Sequence, residues 1–164
     1  MSLDLFRKLG ARLKTHAPEN GQITDLSPAE TLQLCAHMLW SLARQVEAHS
    51  AQAPYPHLAK RLQEIALEKD NVVNLLKEEL SRSGKDFGQP RAAIKTGKNH
   101  WDRMREDVKD QKLLEADLLL HAARIAESAP EISALLKKIA SRQASHYETL
   151  LDMLVRADPQ AHQT

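Results

Sequence analysis

The sequence predicts an all-α protein, a four-helix bundle with a long crossover between its second and third long helices and a short N-terminal helix ahead of them. Three observations predict it. Apolar residues recur at three- and four-residue spacing over four stretches of helical length. Proline, glycine and capping residues punctuate those stretches where helices should start and stop. The connections between the long stretches are short, long and short in turn, the order that a returning crossover needs and a simple up-down bundle does not.

The elements follow in chain order. A first segment at about Leu3–Lys14 sets Phe6, Leu9 and Leu13 on one side, and Thr15–Leu26, with Pro18 and Gly21, reads as a linker. The first long helix opens on Ser27-Pro28-Ala29-Glu30, with Ser at the N-cap, Pro at the first helical position and Glu placed to close a capping box. Its stripe is Leu32, Cys35, Leu39, Leu42 and Val46, and it ends near Ser50, before Pro54 and Pro56. The second runs from about Pro56 to Ser83 and stops at Gly84, with Leu58, Leu62, Ile65, Val72, Leu76 and Leu80 inward. Residues 84–99 hold three glycines and a proline and read as a loop. The third starts at the N-cap Asn99 and runs to Glu127, with Trp101, Met104, Val108, Leu118, Ala122 and Ile125 inward. A turn at Ser128-Ala129-Pro130-Glu131 starts the fourth, which reaches Arg156 with Ile132, Leu136, Ile139, Leu150 and Leu154 inward. Such helices are ~35–42 Å long, and the loop of residues 84–99 can reach ~50–55 Å. It can therefore return along a whole helix; the competing reading is a decorated hairpin. The chain divides into 1–26, a helix and linker, 27–156, the bundle, and 157–164, a polar tail.

Composition narrows the function classes. Lys and Arg total 23 against 22 for Asp and Glu, a net charge of +1 that steers the chain toward neither nucleic acid nor an acidic membrane surface. No stretch approaches the ~20 apolar residues of a membrane span. The start, MSLDLFRKLG, lacks the apolar run of a signal peptide, and the lone Cys35 rules out an intrachain disulfide. The expected localisation is cytoplasmic. Cys35 sits in an apolar stripe and reads as inert packing.

The informative anomaly lies in the stripes. Lys69 falls on the apolar face between Ile65 and Val72, Gln111 and Glu115 fall between Val108 and Leu118, and Gln143 and His146 fall between Ile139 and Leu150. All five lie near their helix midpoints, where they can meet in one layer. Burying such groups unpaired costs ~2 kcal/mol or more each, so they should find one another, and a buried Lys69–Glu115 ion pair is the expected core of the cluster.

On these residues the chain resembles the ferritin-like superfamily, the rubrerythrin- and bacterioferritin-like four-helix bundles with carboxylate-bridged di-iron centres. That family sets inward Glu on two helices and Glu-x-x-His on the other two. Glu115 matches the lone Glu after the crossover, and Gln143-x-x-His146 stands where Glu-x-x-His is wanted. Ala66-x-x-Lys69 stands at the other such motif, and Leu32 to Val46 offers no inward carboxylate. A di-metal site of about +4 needs several carboxylates. The resemblance thus implies the fold with a degenerate di-iron site and no cofactor expected. If a metal binds, iron or manganese at Glu115, His146 and Glu68 is the set, the last from the alternative register Glu68-x-x-Asn71.

Weaker signals read as structure. The remaining histidines have no zinc-like spacing, Trp40 and Trp101 read as packing, and Gly97-Lys98-Asn99 lacks the upstream strand and glycine of a phosphate loop. Lys85, Arg91, Lys95 and Lys98 form a basic loop that reads as solvated, with a phosphate or acidic partner as the sharper alternative. The functional expectation is a non-catalytic bundle acting through contacts with an unknown protein partner, as a homodimer. The alternatives are a metal-dependent oxidase or peroxidase of rubrerythrin-like type and a binder of a small ligand between the helices.

Overall fold

The structure is a computed structural model that describes residues 26–157. The expected helix at Leu3–Lys14 and the tail beyond residue 157 lie outside the described residues. Four helices account for most of what is described: α1 (Pro28–Ser50), α2 (Pro56–Arg82), α3 (His100–Arg124) and α4 (Pro130–Arg156). Among the described residues there is no strand.

Local chemistry sets the ends. Ser27 Oγ accepts from the Glu30 N–H at 3.2 Å while Glu30 Oε2 accepts from the Ser27 N–H at 2.9 Å, a closed capping box. α2 ends where Gly84 takes φ +70, letting the Lys85 N–H donate to the Leu80 carbonyl and the Gly84 N–H to that of Ser81, each at 3.0 Å. Asn99 Oδ1 caps α3 by accepting from the Asp102 N–H at 2.8 Å. α3 stops at Arg124 rather than at Glu127. Pro130 occupies the start of α4, and the chain reverses through a turn in which the Ala129 N–H donates to the Ile125 carbonyl at 2.8 Å.

α1 packs along α2, and α3 along α4; α1 also lies against α3, while α2 and α4 touch only lightly. The core is built from Leu32, Leu39, Leu62, Leu76, Met104, Leu118, Leu136 and Leu150, all fully buried. α1 and α3 run antiparallel, since Gln45 meets Asp110 and Asp107 while Gln52, further on, meets the earlier Arg103.

The segment between α2 and α3 lies on α1. Gln33 Nε2 donates to the Asp86 carbonyl at 2.7 Å and His37 Nε2 to that of Phe87 at 2.5 Å. Further along, Gln45 Oε1 accepts from the Lys95 N–H at 3.2 Å, and His49 Nε2 donates to the Lys95 carbonyl at 2.7 Å. Contacts from Gln33 to His49 span ~24 Å of helix.

Candidate functional site

A strict three-four walk carries each stripe through the middle of the bundle: Leu62, Ile65, Lys69, Val73, Leu76 on α2; Met104, Asp107, Gln111, Leu114, Leu118 on α3; and Leu136, Ile139, Gln143, His146, Leu150 on α4. Lys69, Gln111 and Gln143 are completely buried there and His146 nearly so.

Lys69 organises the centre. Its Nζ donates to Gln111 Oε1 and to Gln143 Oε1, each at 2.5 Å, and reaches His146 Nδ1 at 3.3 Å. An ammonium has three protons, and these are three acceptors. The arrangement fixes the rest of the network. His146 Nε2 donates to Glu68 Oε2 at 2.6 Å, and Nδ1, which lies 3.3 Å from Lys69 Nζ and 3.1 Å from Gln143 Oε1, accepts when Lys69 carries its third proton. Gln111 turns its Nε2 away from the ammonium, donating to the Gln143 backbone carbonyl at 3.0 Å and to Glu115 Oε1 at 3.4 Å. Gln143 cannot rotate its amide without setting an NH2 against the ammonium, and its Nε2 is left buried with no acceptor. Burial pulls the Lys69 ammonium down to about 7, against the opposing charges of Glu115, Asp107 and Glu68. His146 is also held low, by burial first and the Lys69 charge second, with Glu68 opposing.

The expected residues therefore come together, with one correction. Lys69 and Glu115 do not form an ion pair: Glu115 is half-buried and joins the cluster only through Gln111. Amides can be buried at lower cost than a carboxylate, so they surround the ammonium while Glu115 keeps part of its hydration. Glu68, a quarter-turn off the stripe and mostly exposed, still reaches His146 from outside. The three candidate metal ligands do not converge, and among the described residues no group of three or more His, Cys, Asp or Glu could hold a metal. A cation with two neutral amides is a donor set that does not fit a di-metal centre.

A second buried network lies nearer the end of α1. His49 Nδ1 donates to Asp107 at 2.8 Å, and since its Nε2 donates to the Lys95 carbonyl, both ring nitrogens carry protons and the ring is an imidazolium. Burial alone would lower its pKa, but the hydrogen bond and charge of Asp107 outweigh burial and raise it. Gln45 Nε2 donates to Asp107 at 2.9 Å and Asp110 at 3.0 Å, and Arg103 Nη2 donates to the Gln52 carbonyl at 2.9 Å. Nearby, both His100 ring nitrogens are buried without a partner, and burial followed by the Arg103 charge lowers that ring's pKa. Sequence reasoning missed this network. One further step beyond Val46 lands on His49, and the three-residue step from Met104 lands on Asp107.

The basic loop is partly spent on its own surroundings. Lys95 pairs with Asp110 and Lys85 approaches Glu30 at 4.0 Å. Arg91 and Lys98 are exposed. Cys35 is fully buried and its thiol is pushed up to about 12 by burial, which makes it inert. Trp40 packs at the core edge with the Arg44 guanidinium 6.0 Å above its ring, and Trp101 carries Arg105 at 5.1 Å.

Two clefts open on the bundle. One of about 310 Å³ lies between α1, α3 and the loop, walled by Met38, Leu42, Gln45, Lys95, Asp110 and Leu113. The other, about 390 Å³, lies at the loose α2–α4 seam over the polar centre, walled by Glu68, Val72, Leu75, Arg142, Gln143 and His146. No protein-family model matches the chain, and no curated protein matches it.

Proposed function

We propose that the chain is a ferritin-like bundle with a long crossover between α2 and α3, that it works without a metal cofactor, and that it acts as a homodimer through protein contacts rather than by catalysis. The observation that carries this reading is the Lys69 ammonium at the centre of the polar layer, its three protons facing Gln111, Gln143 and His146. A positive charge there does for the surrounding acceptors what a metal does in the family the chain resembles, and it opposes entry of a further cation. The crossover reading is supported by the antiparallel α1 and α3 and by the loop's bonds to α1 from Gln33 to His49. The buried, unpaired Cys35 thiol fits a reducing compartment such as the cytoplasm.

The dimer reading rests on leucines left outside. Leu113 and Leu120 share one face of α3 and are 40% and 48% exposed, with Leu119 beside them. Met38 on α1 walls the same groove as Leu113, and Leu34, one turn before Met38, continues the apolar surface. Such a contiguous patch marks an interaction site, and a second copy of the same patch is self-complementary about a two-fold axis.

Light scattering at increasing concentration tests the dimer. The expected result is a mass of two chains that falls to one in a Leu113→Lys/Leu120→Lys variant with unchanged helicity. A single-chain mass for the wild type at high concentration would overturn the dimer. Anaerobic addition of ferrous iron followed by elemental analysis tests the cofactor reading. No retained iron is expected, and about two per chain would establish the oxidase alternative instead.

A further inference from the structure

The α2–α4 cleft has features that the packing of the bundle does not use. Gln143 is completely buried and lines this cleft, yet its Nε2 has no acceptor. The amide cannot resolve this by rotating, because Gln143 Oε1 is held by Lys69. A buried N–H donor with no acceptor is rare in folded proteins and calls for a partner from outside the fold. Its neighbour Arg142 lines the same cleft, and among the described residues its guanidinium meets no carboxylate within ion-pair distance. The carboxylate on the cleft wall, Glu68, already accepts from His146 through one oxygen. Asn71 and Ser145 also line the cleft, the Ser145 hydroxyl donating to the Arg142 carbonyl, and the cationic donor left free is Arg142, with Lys69 bonded to Gln143 behind it. Val72 and Leu75 supply an apolar wall. A volume of about 390 Å³ lies at the small end of ligand sites. The α1–α3 cleft lacks these features, since Gln45, Lys95 and Asp110 on its wall satisfy one another.

We infer that the α2–α4 cleft binds a small amphipathic carboxylate, its head accepting from Gln143 Nε2 and the Arg142 guanidinium and its short alkyl tail lying on Val72 and Leu75. Arg offers a carboxylate a paired, charge-assisted contact, and an amide N–H adds to it. A neutral amide head keeps one acceptor but loses the charge, and an amine head presents donors to donors. The order of preference is therefore carboxylate, then amide, with amine excluded. This goes beyond the metal-free dimer reading and does not depend on it, because neither the oligomeric state nor the metal content enters the argument.

Hexanoate, hexanamide and hexylamine differ only in the head and serve as probes. The readout is the Gln143 side-chain NH2 pair and the Val72 methyls, followed by NMR of the full chain. Hexanoate is expected to shift both sets of signals to saturation, hexanamide to do so roughly tenfold more weakly, and hexylamine to shift neither. Arg142 is exposed, so Arg142→Ala should keep the wild-type Tm while weakening hexanoate roughly tenfold. Leu75→Trp fills the cleft and should abolish the shifts. The proposal is overturned if hexylamine shifts these signals as much as hexanoate, or if Leu75→Trp leaves the hexanoate shifts in place. It is equally overturned if no probe shifts them and the Gln143 NH2 instead shows a magnetisation transfer to a bound water, which would make the cleft a hydration site only.

Discussion

Lys69 has three protons and three acceptors within reach, and each acceptor comes from a different residue of α3 or α4. Removing one acceptor should leave a buried ammonium short of a partner. Gln143→Leu is therefore expected to cost ~2 kcal/mol in urea unfolding. In a Lys69→Met background the same change should cost much less, because no ammonium remains to satisfy and an orphaned carbonyl is removed. The coupling between the two positions is the quantity of interest, and equal costs in both backgrounds would contradict the network. The polar centre was legible as five interruptions of apolar stripes, but the phase of α3 was not. A helical stripe can step by three or by four residues, and one residue is 100° of rotation. Taking Val108 instead of Asp107 favours the apolar neighbour, and taking Glu115 instead of Leu114 places the carboxylate inward. The fold takes Asp107 and Leu114, which turns Glu115 toward the surface and leaves the amide of Gln111 to meet Lys69. The same one-residue ambiguity on α2 buries Val73 rather than Val72.

At the scale of elements, the helix ends were legible because their chemistry is local. The capping box at Ser27, the αL Gly84 and the Asn99 cap each need only a few neighbouring residues. The course of the loop was open because its anchors are side chains from a distant helix. His49 is the clearest anchor: a neutral imidazole has one proton, yet Asp107 and the Lys95 carbonyl both demand one. The imidazolium is stabilised in the fold, so its contribution is fully present below about 6.5. It is lost as pH rises through the raised folded value. Asp107→Asn removes the charge that holds the second proton. At pH near neutral it should speed amide hydrogen exchange around Lys95 by about tenfold or more. Unchanged exchange there would show that the loop is held by other contacts. Gly97 is part of the same junction, since a Cβ there would sit 2.8 Å from the Arg103 backbone nitrogen.

Across the whole molecule, two tight hairpins meet along a loose seam, and the polar layer crosses it. The α2–α4 cleft carries the unpartnered Gln143 amide, while the opposite face of α1 and α3 leaves leucines exposed. The four long helices among the described residues followed from periodicity, because burying one stripe per helix leaves few other solutions. Partner surfaces did not, because an exposed leucine and a buried one are alike in sequence and differ only by the phase of the helix. The central claim is that the Lys69 amine is buried at the middle of the bundle among Gln111, Gln143 and His146. Because burial lowers the Lys69 pKa, folding stability should rise with pH between about 7 and 10.5 from this group, where the unfolded chain holds the extra proton. Nitrogen-15 NMR of the Lys69 Nζ tests the claim most directly. The account predicts a slowly exchanging NH3+ signal at mildly acidic pH, titrating near 7. A rapidly exchanging signal that titrates near 10.5, like that of a surface lysine, would contradict it.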